Sequence, residues 1–255
     1  MRFNRIFLLI LVLALLLGGC GVQAKSSIPQ TSTPTASERA PQDENTPPEN
    51  GDSENKDILS LAVFVGDSTT AHMASRAKVS PTQVWATKSR YLNLSPRVTD
   101  EKIILPTTGS EMTIAAAAAA AKPAVLVITL GIDYGVYYYR DSPDKFAFYY
   151  EKLLDAIRAA SPTTTVVLQS IFPVGRESKA ITNAMVDNAN GVVREIAARR
   201  GLSYLDANTL LKDSEGYLAA HFCDSADGIH LTGAAYEVIL GNLAAHAAEI
   251  TGDEL

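Results

Sequence analysis

The chain has 255 residues, a formal net charge of −6 and 47% hydrophobic residues. This length allows one domain with a substantial core, and an acidic chain without basic clusters argues against nucleic acid or anionic lipid headgroups as docking partners. The cysteines are Cys20 and Cys223, and no Cys or His spacing is typical of a metal site. We therefore expect no metal and no organic cofactor.

Residues 1–19 have the pattern of a secretion signal. Two arginines precede an unbroken apolar run over residues 6–17, which is short for a bilayer span. The run leads into Leu-Gly-Gly-Cys20, which resembles the lipobox of bacterial lipoproteins, where cleavage leaves a lipid-bearing cysteine at the new N-terminus. The resemblance implies a lipidated Cys20 and an extracytoplasmic protein anchored to the cell membrane. The alternative is a plain secreted protein with an incidental cysteine.

Residues 20–56 are rich in Ser, Thr, Pro, Glu, Asn and Gln and hold almost no large apolar side chains. Because such a segment cannot offset the entropy cost of folding, we predict a disordered tether. As a coil of about 36 residues it would average about 30–36 Å end to end. It would hold a folded domain, residues 57–255, away from a membrane.

Segments typical of strands and helices alternate along this domain. An apolar strand is predicted over Leu61–Val65, and a weaker one over Gln83–Ala86. The run Gly109–Ala121 contains seven consecutive alanines, and its propensity favours a helix. Ala124–Leu130 is predicted as a buried strand.

Further along the chain the alternation continues to the last helix. The predicted elements are a helix over Pro143–Ala160, a strand over Thr164–Ile171, a helix over Ile181–Arg200 stopped by Gly201, a short strand over Leu202–Leu205 and a helix over Thr232–Ile250 with Thr232 as its N-cap.

Continuous apolar strands are typical of a sheet that is buried on both faces. With helices between the strands, the pattern predicts an α/β fold in which a parallel sheet lies between two helical layers. In such folds a ligand site lies beyond the carboxyl ends of the strands. Ser68 and Gly131 directly follow predicted strands, and Asp227 and His230 lie in a loop before the last helix.

Two short motifs carry the candidate chemistry, Gly-Asp-Ser at residues 66–68 and Asp-Gly-Ile-His at residues 227–230. A serine hydroxyl needs a base to take its proton, and that base needs a group to orient it. A turn can bring Asp227 to Nδ1 of His230, which leaves Nε2 to face the hydroxyl of Ser68. At a strand-to-helix turn, the N–H of Ser68 also points toward developing negative charge.

On these residues the chain resembles the SGNH hydrolases, also called the GDSL-type esterase/lipase superfamily. Residues 66–68 match the first block of that family, and residues 227–230 match its last block. Residues 130–133, Leu-Gly-Ile-Asp, occupy the place of the Gly-x-Asn block, and Gly109 is the candidate for the second-block glycine. The first and last blocks are specific as a pair, whereas the two middle blocks match more weakly.

The resemblance implies a three-layer α/β/α sandwich of the flavodoxin-like kind, with a parallel central sheet. It also implies hydrolysis of small acyl esters, often acetyl groups on carbohydrates, by a triad of Ser68, His230 and Asp227. The N–H groups of Ser68 and Gly109 and the side chain of Asp133 would form the oxyanion hole. An O-acylated carbohydrate or another small ester is the expected partner.

Asp133 departs from the family pattern, in which an asparagine donates an N–H to the oxyanion. An ionised carboxylate is only an acceptor, and the loss of one such donor typically costs ~10²–10³ in rate. Three interpretations stay open. Asp133 could be protonated and donate an O–H; the hole could work with two backbone donors while Asp133 binds substrate hydroxyls; or the enzyme could be impaired.

Other residues near the motifs also have candidate roles. Tyr134, Tyr137 and Tyr138 follow Asp133, and we predict that they bind substrate, since tyrosine rings can stack on a sugar; the alternative is ordinary packing. His72 lies one helical turn after Ser68 and is a rival base without an obvious orienting group.

These patterns predict a lipid-anchored extracytoplasmic serine esterase. An acyltransferase that moves acetyl onto a glycan hydroxyl would use the same triad. A lysophospholipase would need a long apolar pocket, whereas the tyrosines argue mildly for a polar substrate. A non-catalytic glycan-binding module on a degenerate scaffold is favoured by Asp133 and opposed by the intact set of Ser68, Asp227 and His230.

Overall fold

The computed structural model describes residues 58–252. The predicted signal segment, the lipidated Cys20 and the predicted tether lie outside the described residues, and they stay predictions. Within residues 58–252, no helix is both long enough and apolar enough to cross a membrane.

The described residues form one seven-stranded sheet with the strand order β4-β3-β2-β1-β5-β6-β7. Strands β2, β1, β5, β6 and β7 run parallel, whereas β3 and β4 are antiparallel additions at one edge. The strands are β1 (Ala62–Gly66), β2 (Val84–Thr87), β3 (Lys102–Leu105), β4 (Ser110–Thr113), β5 (Val125–Thr129), β6 (Thr165–Gln169) and β7 (Ser203–Leu205).

Helices cover both faces of this sheet. They are α1 (Ser68–Arg76), α2 (Ile114–Ala121), α3 (Gly135–Tyr138), α4 (Pro143–Ala160), α5 (Asn183–Arg200), α6 (Ala207–Leu210), α7 (Gly233–Ala245) and α8 (Ala247–Thr251), with short 3-10 helices at Pro81–Gln83 and Ala220–Phe222. One apolar cluster joins the sheet to α2, α4 and α5, and the other joins it to α1, α7 and α8.

The central strand β5 shows why the sheet lies between two layers. All five of its residues are buried. Val125 and Val127 belong to one apolar cluster, while Leu126 and Ile128 belong to the other, because successive side chains of a strand point to opposite faces. The prediction of a three-layer α/β/α fold is confirmed.

Several predicted boundaries are also confirmed. The helix α4 covers the predicted range, and α5 ends at Gly201, whose left-handed backbone (φ +62) lets its N–H cap the helix at Ala197 and Ala198. The side chain of Thr232 accepts a hydrogen bond from the N–H of Ala235 and is the N-cap of α7.

The prediction of one helix over Gly109–Ala121 is wrong for its first residues. Ser110–Thr113 form β4, which pairs with β3, and the helix α2 begins only at Ile114. Gly109 adopts φ +69 in the turn between these two strands. The sheet is therefore mostly parallel instead of fully parallel. The last predicted helix is likewise divided, because His246 separates α7 from α8.

Candidate active site

Ser68 is the first residue of α1, directly beyond the carboxyl end of β1, and only 3% of its surface is exposed. The turn into the helix requires glycine at position 66. A Cβ atom there would lie 2.0 Å from the carbonyl oxygen of Thr129 and 2.3 Å from Oγ1 of Thr70. The close passage of β1 beside β5 thus fixes where the serine lies.

Asp67 is fully buried and connects the nucleophile turn to the loop that follows β5. Its carboxylate caps α1 by accepting hydrogen bonds from Thr69, and it accepts the N–H groups of Gly131 at 3.0 Å and Ile132 at 2.9 Å. Burial and the nearby carboxyl of Asp133 act to raise the pKa of Asp67, although these hydrogen bonds oppose the rise. The role of Asp67 is to hold the loop that carries Asp133.

The three residues of the predicted triad come together beyond the carboxyl ends of the parallel strands. Nε2 of His230 lies 3.3 Å from Oγ of Ser68. Nδ1 of His230 lies 3.9 Å from Oδ1 of Asp227, which is an ion-pair distance and too long for a hydrogen bond. The base therefore reaches the nucleophile, while its orienting carboxylate stands slightly apart.

Ser225 organises the loop that carries Asp227 and His230. Its hydroxyl donates to Oδ1 of Asp227 and accepts the N–H groups of Ile229 at 3.1 Å and of His230 at 2.9 Å. Partial burial acts to raise the pKa of Asp227, but the hydrogen bonds from Ser225 and Ile229 outweigh it and hold that pKa below its ordinary value. Sequence reasoning missed Ser225, although serine two residues before an aspartate is typical of a loop with side-chain to backbone bonds.

The same loop is held from both sides. The guanidinium of Arg76, at the end of α1, lies 2.8 Å from a carboxylate oxygen of Asp224 and donates to the carbonyl of Leu231 at 3.0 Å. On the other side, the N–H of Gly175 donates to the carbonyl of Gly228 at 2.7 Å. The helix that begins with Ser68 thus also anchors the segment that carries His230.

His72 lies against His230, with the two ring centroids 4.4 Å apart. Burial lowers the pKa of His72, and the charges of His230 and Arg76 act in the same direction. Its Nδ1 is buried and has no hydrogen-bond partner among the described residues. The ring of His72 therefore packs against His230 in its neutral form. Among the described residues, no carboxylate orients it as a base.

Asp133 contacts the nucleophile directly. Its Oδ1 accepts the Ser68 hydroxyl at 2.7 Å, and its Oδ2 accepts the backbone N–H of the same residue at 2.8 Å. Burial raises the pKa of Asp133, while the hydrogen bonds from Ser68 and Leu92 and the charge of His230 lower it. The carboxyl group thus occupies the backbone donors that an oxyanion would use.

The prediction that Gly109 contributes to the oxyanion hole is wrong. Its N–H donates to the carbonyl of Leu105 within the β3–β4 turn. Because β3 runs antiparallel to β2, that turn lies at the edge of the sheet where β1 begins, opposite Ser68. It also lies two to three strands from β1, about 10–14 Å away at the usual spacing.

The second backbone donor is the N–H of Leu92, in the loop after β2. Leu92 and Leu94 are buried and anchor this loop, and Arg90 takes a left-handed backbone (φ +64) two residues before the donor. The sequence does not reveal this donor, because a backbone N–H does not depend on which side chain the residue carries. The available signal was the position of the loop at the carboxyl end of a strand next to β1.

The predicted substrate-binding tyrosines lie immediately after Asp133. Tyr134 and Tyr138 stack with ring centroids 4.1 Å apart, and the edge of Tyr137 meets Tyr138 at 5.5 Å. The guanidinium of Arg140 lies 4.7 Å from the centre of the Tyr137 ring. Because Tyr138 is 59% exposed, the cluster presents an aromatic face to solvent beside the site; its contact with substrate stays a prediction.

Among residues 58–252, no group of three or more His, Cys, Asp or Glu side chains is arranged to hold a metal ion. A nucleophile, a base, a carboxylate and two backbone donors lie together, which is the equipment for acyl transfer through a serine ester.

Comparison with known proteins agrees with this geometry. Residues 64–238 match the GDSL-like lipase/acylhydrolase family. This match spans more than half of the chain and agrees with the three-layer α/β/α fold, and the chain belongs to this family of hydrolases. No curated protein matches the chain.

Solved structures give the same fold at low sequence identity. A GDSL-like lipase from Bacteroides thetaiotaomicron aligns with a TM-score of 0.50 and 15% identity, covering 77% of this chain and 95% of that one. A protein from Bacteroides fragilis described as an acylhydrolase aligns with a TM-score of 0.50 and 13% identity, covering 78% and 96%. At such identities the likeness establishes the fold alone.

Proposed function

We propose that the protein is a lipid-anchored extracytoplasmic serine esterase that hydrolyses small acyl esters, with O-acetylated carbohydrate as its substrate class. The observation that carries the proposal is the 3.3 Å approach of the His230 ring to the Ser68 hydroxyl, made by residues from opposite ends of the domain.

The reaction follows from these contacts. Oγ of Ser68 attacks the ester carbonyl carbon, and its proton passes to Nε2 of His230. The carbonyl electron pair moves onto oxygen, which the N–H groups of Ser68 and Leu92 stabilise. Collapse of this intermediate expels the alcohol, which takes the proton from His230. Water then attacks the acyl-enzyme by the same route and restores the serine.

Asp227 supports the imidazolium that forms in each half-reaction. Its pKa lies below the ordinary value, so it is ionised wherever His230 can act as a base. The 3.9 Å separation needs to shorten by about 1 Å to give a hydrogen bond. Contacts of this kind are often long in a free enzyme and tighten when substrate binds.

The substrate class is supported by the surface next to the nucleophile. The exposed rings of Tyr137 and Tyr138 suit stacking on a sugar face, and Arg140 adds a donor at the rim. The proposed anchor is supported by the lipobox-like sequence at Cys20, and it would keep the enzyme near envelope glycans.

The test is turnover of p-nitrophenyl acetate by the full chain and by Ser68→Ala. We expect the substitution to lower kcat/KM by at least about 10³-fold, because no other group can form the acyl-enzyme. Ser75→Ala, on an exposed position of the same helix, is the matched control and should keep full activity. Activity that survives the loss of Ser68 would refute the assigned nucleophile.

A second candidate is a glycan-binding module without catalysis. It is favoured by the contact of Asp133 with the Ser68 N–H, which occupies an oxyanion donor. A fluorophosphonate probe separates the two functions. Covalent labelling that disappears in Ser68→Ala indicates an activated serine, whereas no labelling at any pH favours the binding module.

A further inference from the structure

Two carboxyl groups share the site, the buried Asp67 and the partly buried Asp133, and only Asp133 has room for a proton. Asp67 accepts four donors, two on each oxygen. Thr69 bonds Oδ1 through its N–H and its hydroxyl, and the N–H groups of Gly131 and Ile132 bond Oδ2. Because a carboxylate offers about four lone-pair positions, protonation of Asp67 would displace a donor.

Asp133 is less fully occupied. It accepts the N–H and the hydroxyl of Ser68 and the N–H of Leu92, so one acceptor position remains. One of these partners, the hydroxyl, can also reverse and accept a hydrogen bond. When the two carboxyl groups hold one proton between them, that proton therefore belongs on Asp133.

We propose that Asp133 works in its protonated form, as an O–H donor to the oxyanion and as the group that turns the Ser68 proton toward His230. This inference rests on the proposed esterase function and deepens it. It makes the carboxyl group a catalytic residue that is a donor only while it carries its proton.

The two protonation states place the serine proton differently. Beside an ionised Asp133, the Ser68 hydroxyl donates across 2.7 Å to the carboxylate and has no proton to spare for His230 at 3.3 Å. The carboxylate also neutralises the backbone donors of Ser68 and Leu92. Beside a neutral Asp133, the hydroxyl accepts from the carboxyl O–H, and its own proton is free to point at Nε2 of His230.

Ionisable groups from several elements lie near Asp133 or near its neighbours Asp67 and His230. Asp67 in the β1–α1 turn disfavours a second negative charge, while His230 from the loop before α7 favours one. The ring of His72 on α1 is held neutral, since burial lowers its pKa. Tyr150 on α4 also stays neutral, because burial and Asp67 raise its pKa. The loop after β2 contributes a backbone N–H.

Burial raises the pKa of Asp133, so its neutral form persists to higher pH than in an ordinary aspartate. The rate should therefore fall at alkaline pH, as Asp133 loses its proton. The isosteric Asp133→Asn variant donates an N–H at every pH. We expect it to lack the alkaline fall, and at about pH 8 to exceed the wild type in kcat/KM by about 10²-fold.

The experiment measures kcat/KM for p-nitrophenyl acetate from about pH 5 to about pH 9 in both proteins. Asp144→Asn removes a charge from an exposed position in the first turn of α4, and it should keep the wild-type profile. Superimposable profiles for wild type and Asp133→Asn would overturn the inference. So would a variant that is inactive at every pH, because it would make the carboxylate itself essential.

A second measurement does not depend on catalysis. A proton that the folded state holds more tightly than the unfolded chain stabilises the fold at low pH, and this stabilisation is lost as pH rises through the folded-state pKa. The midpoint of urea unfolding should therefore fall with pH more steeply in the wild type than in Asp133→Asn. Equal slopes would overturn the inference even when Ser68→Ala has confirmed the esterase. If Ser68→Ala keeps its activity, the esterase fails and Asp133 loses its assigned role with it.

Discussion

Ser225 bonds three parts of the catalytic loop with one hydroxyl. It donates to Asp227 and accepts the N–H groups of Ile229 and His230. The Asp227 carboxylate lies 3.9 Å from Nδ1 of His230. The position in which the loop holds Asp227 therefore decides whether these two groups can form a hydrogen bond when substrate binds. Ser225 is therefore a positioning residue, which acts through Asp227 and touches no reacting atom.

We expect Ser225→Ala to lower kcat about 10-fold with little change in KM, since two N–H groups lose an acceptor and Asp227 loses a donor. The measurement is steady-state hydrolysis of p-nitrophenyl acetate. Ser225→Thr keeps the oxygen and should restore most of the rate. Ser214→Ala, in an exposed turn, is the control. A tenfold rise in KM at unchanged kcat would contradict the positioning role.

Residue identity was enough to find the groups whose chemistry depends on a side chain. Ser68, Asp227 and His230 stand in motifs whose spacing names both the residues and their roles. Leu92 could not be found that way, because its contribution is a backbone N–H whose direction depends on how the chain turns at Arg90. Gly109 was a wrong choice for the same reason, since a glycine in a short loop fits both a hairpin turn and an oxyanion hole.

The helix α1 connects the two halves of the site. Its first residue is the nucleophile, and Arg76 at its end bonds Asp224 and Leu231, which flank the loop of Asp227 and His230. The ion pair with Asp224 is partly exposed and contributes little by itself. The bond to the carbonyl of the buried Leu231 is the stronger contact. Arg76 thus sets the distance between the nucleophile and the base.

We expect Arg76→Met to lower the free energy of unfolding by about 1 kcal/mol and kcat about 10-fold, because the loop loses its anchor on α1. The losses of stability and of kcat should be intermediate in Arg76→Lys, since one ammonium cannot reproduce both contacts of the guanidinium. The measurements are thermal unfolding and steady-state kinetics.

The matched control for Arg76→Met is Lys78→Met. Lys78 follows the same helix and pairs with Glu237 on α7, but its side chain is 82% exposed. We expect both its stability and its rate to stay near the wild type. If Lys78→Met and Arg76→Met lower kcat equally, general loss of surface charge explains the effect, and Arg76 has no specific role in placing His230.

Strong periodic patterns identified the central elements, whereas the sheet edge escaped prediction. A continuous apolar run marks the fully buried strand β5, and apolar residues at helical spacing mark the buried faces of α4 and α5. The edge strand β4 reads Ser-Glu-Met-Thr and buries none of these side chains fully, so no apolar alternation marks it. The alanine run after β4 favours a helix, so the sequence predicts a helix that begins too early, at Gly109.

The first described residue and the candidate site lie at opposite ends of the strands of the sheet. The described chain begins at Ile58, before the amino end of β1, whereas Ser68, Leu92 and Asp133 follow the carboxyl ends of strands. The sheet itself therefore stands between the point where the predicted tether joins and the site.

The predicted anchor can be separated from the catalytic domain by one substitution. In a bacterium that processes lipoproteins, the wild-type chain should partition into the detergent phase of Triton X-114, and Cys20→Ala should stay in the aqueous phase. Each CH₂ of an acyl chain contributes about 0.8 kcal/mol to membrane binding, so loss of the lipid abolishes stable attachment. Hydrolysis by Cys20→Ala should match the wild type, because the site lies at the far edge of the sheet.

Cys223→Ala is the matched control, since it removes the other cysteine and leaves the lipobox-like sequence intact. Cys223 is half-buried, and its thiol contacts the carbonyl of Ser225 at 3.4 Å. This variant should remain in the detergent phase whatever its effect on the catalytic loop. Equal partitioning of Cys20→Ala and the wild type would contradict the anchor and leave the esterase proposal untouched, because the two proposals depend on different residues.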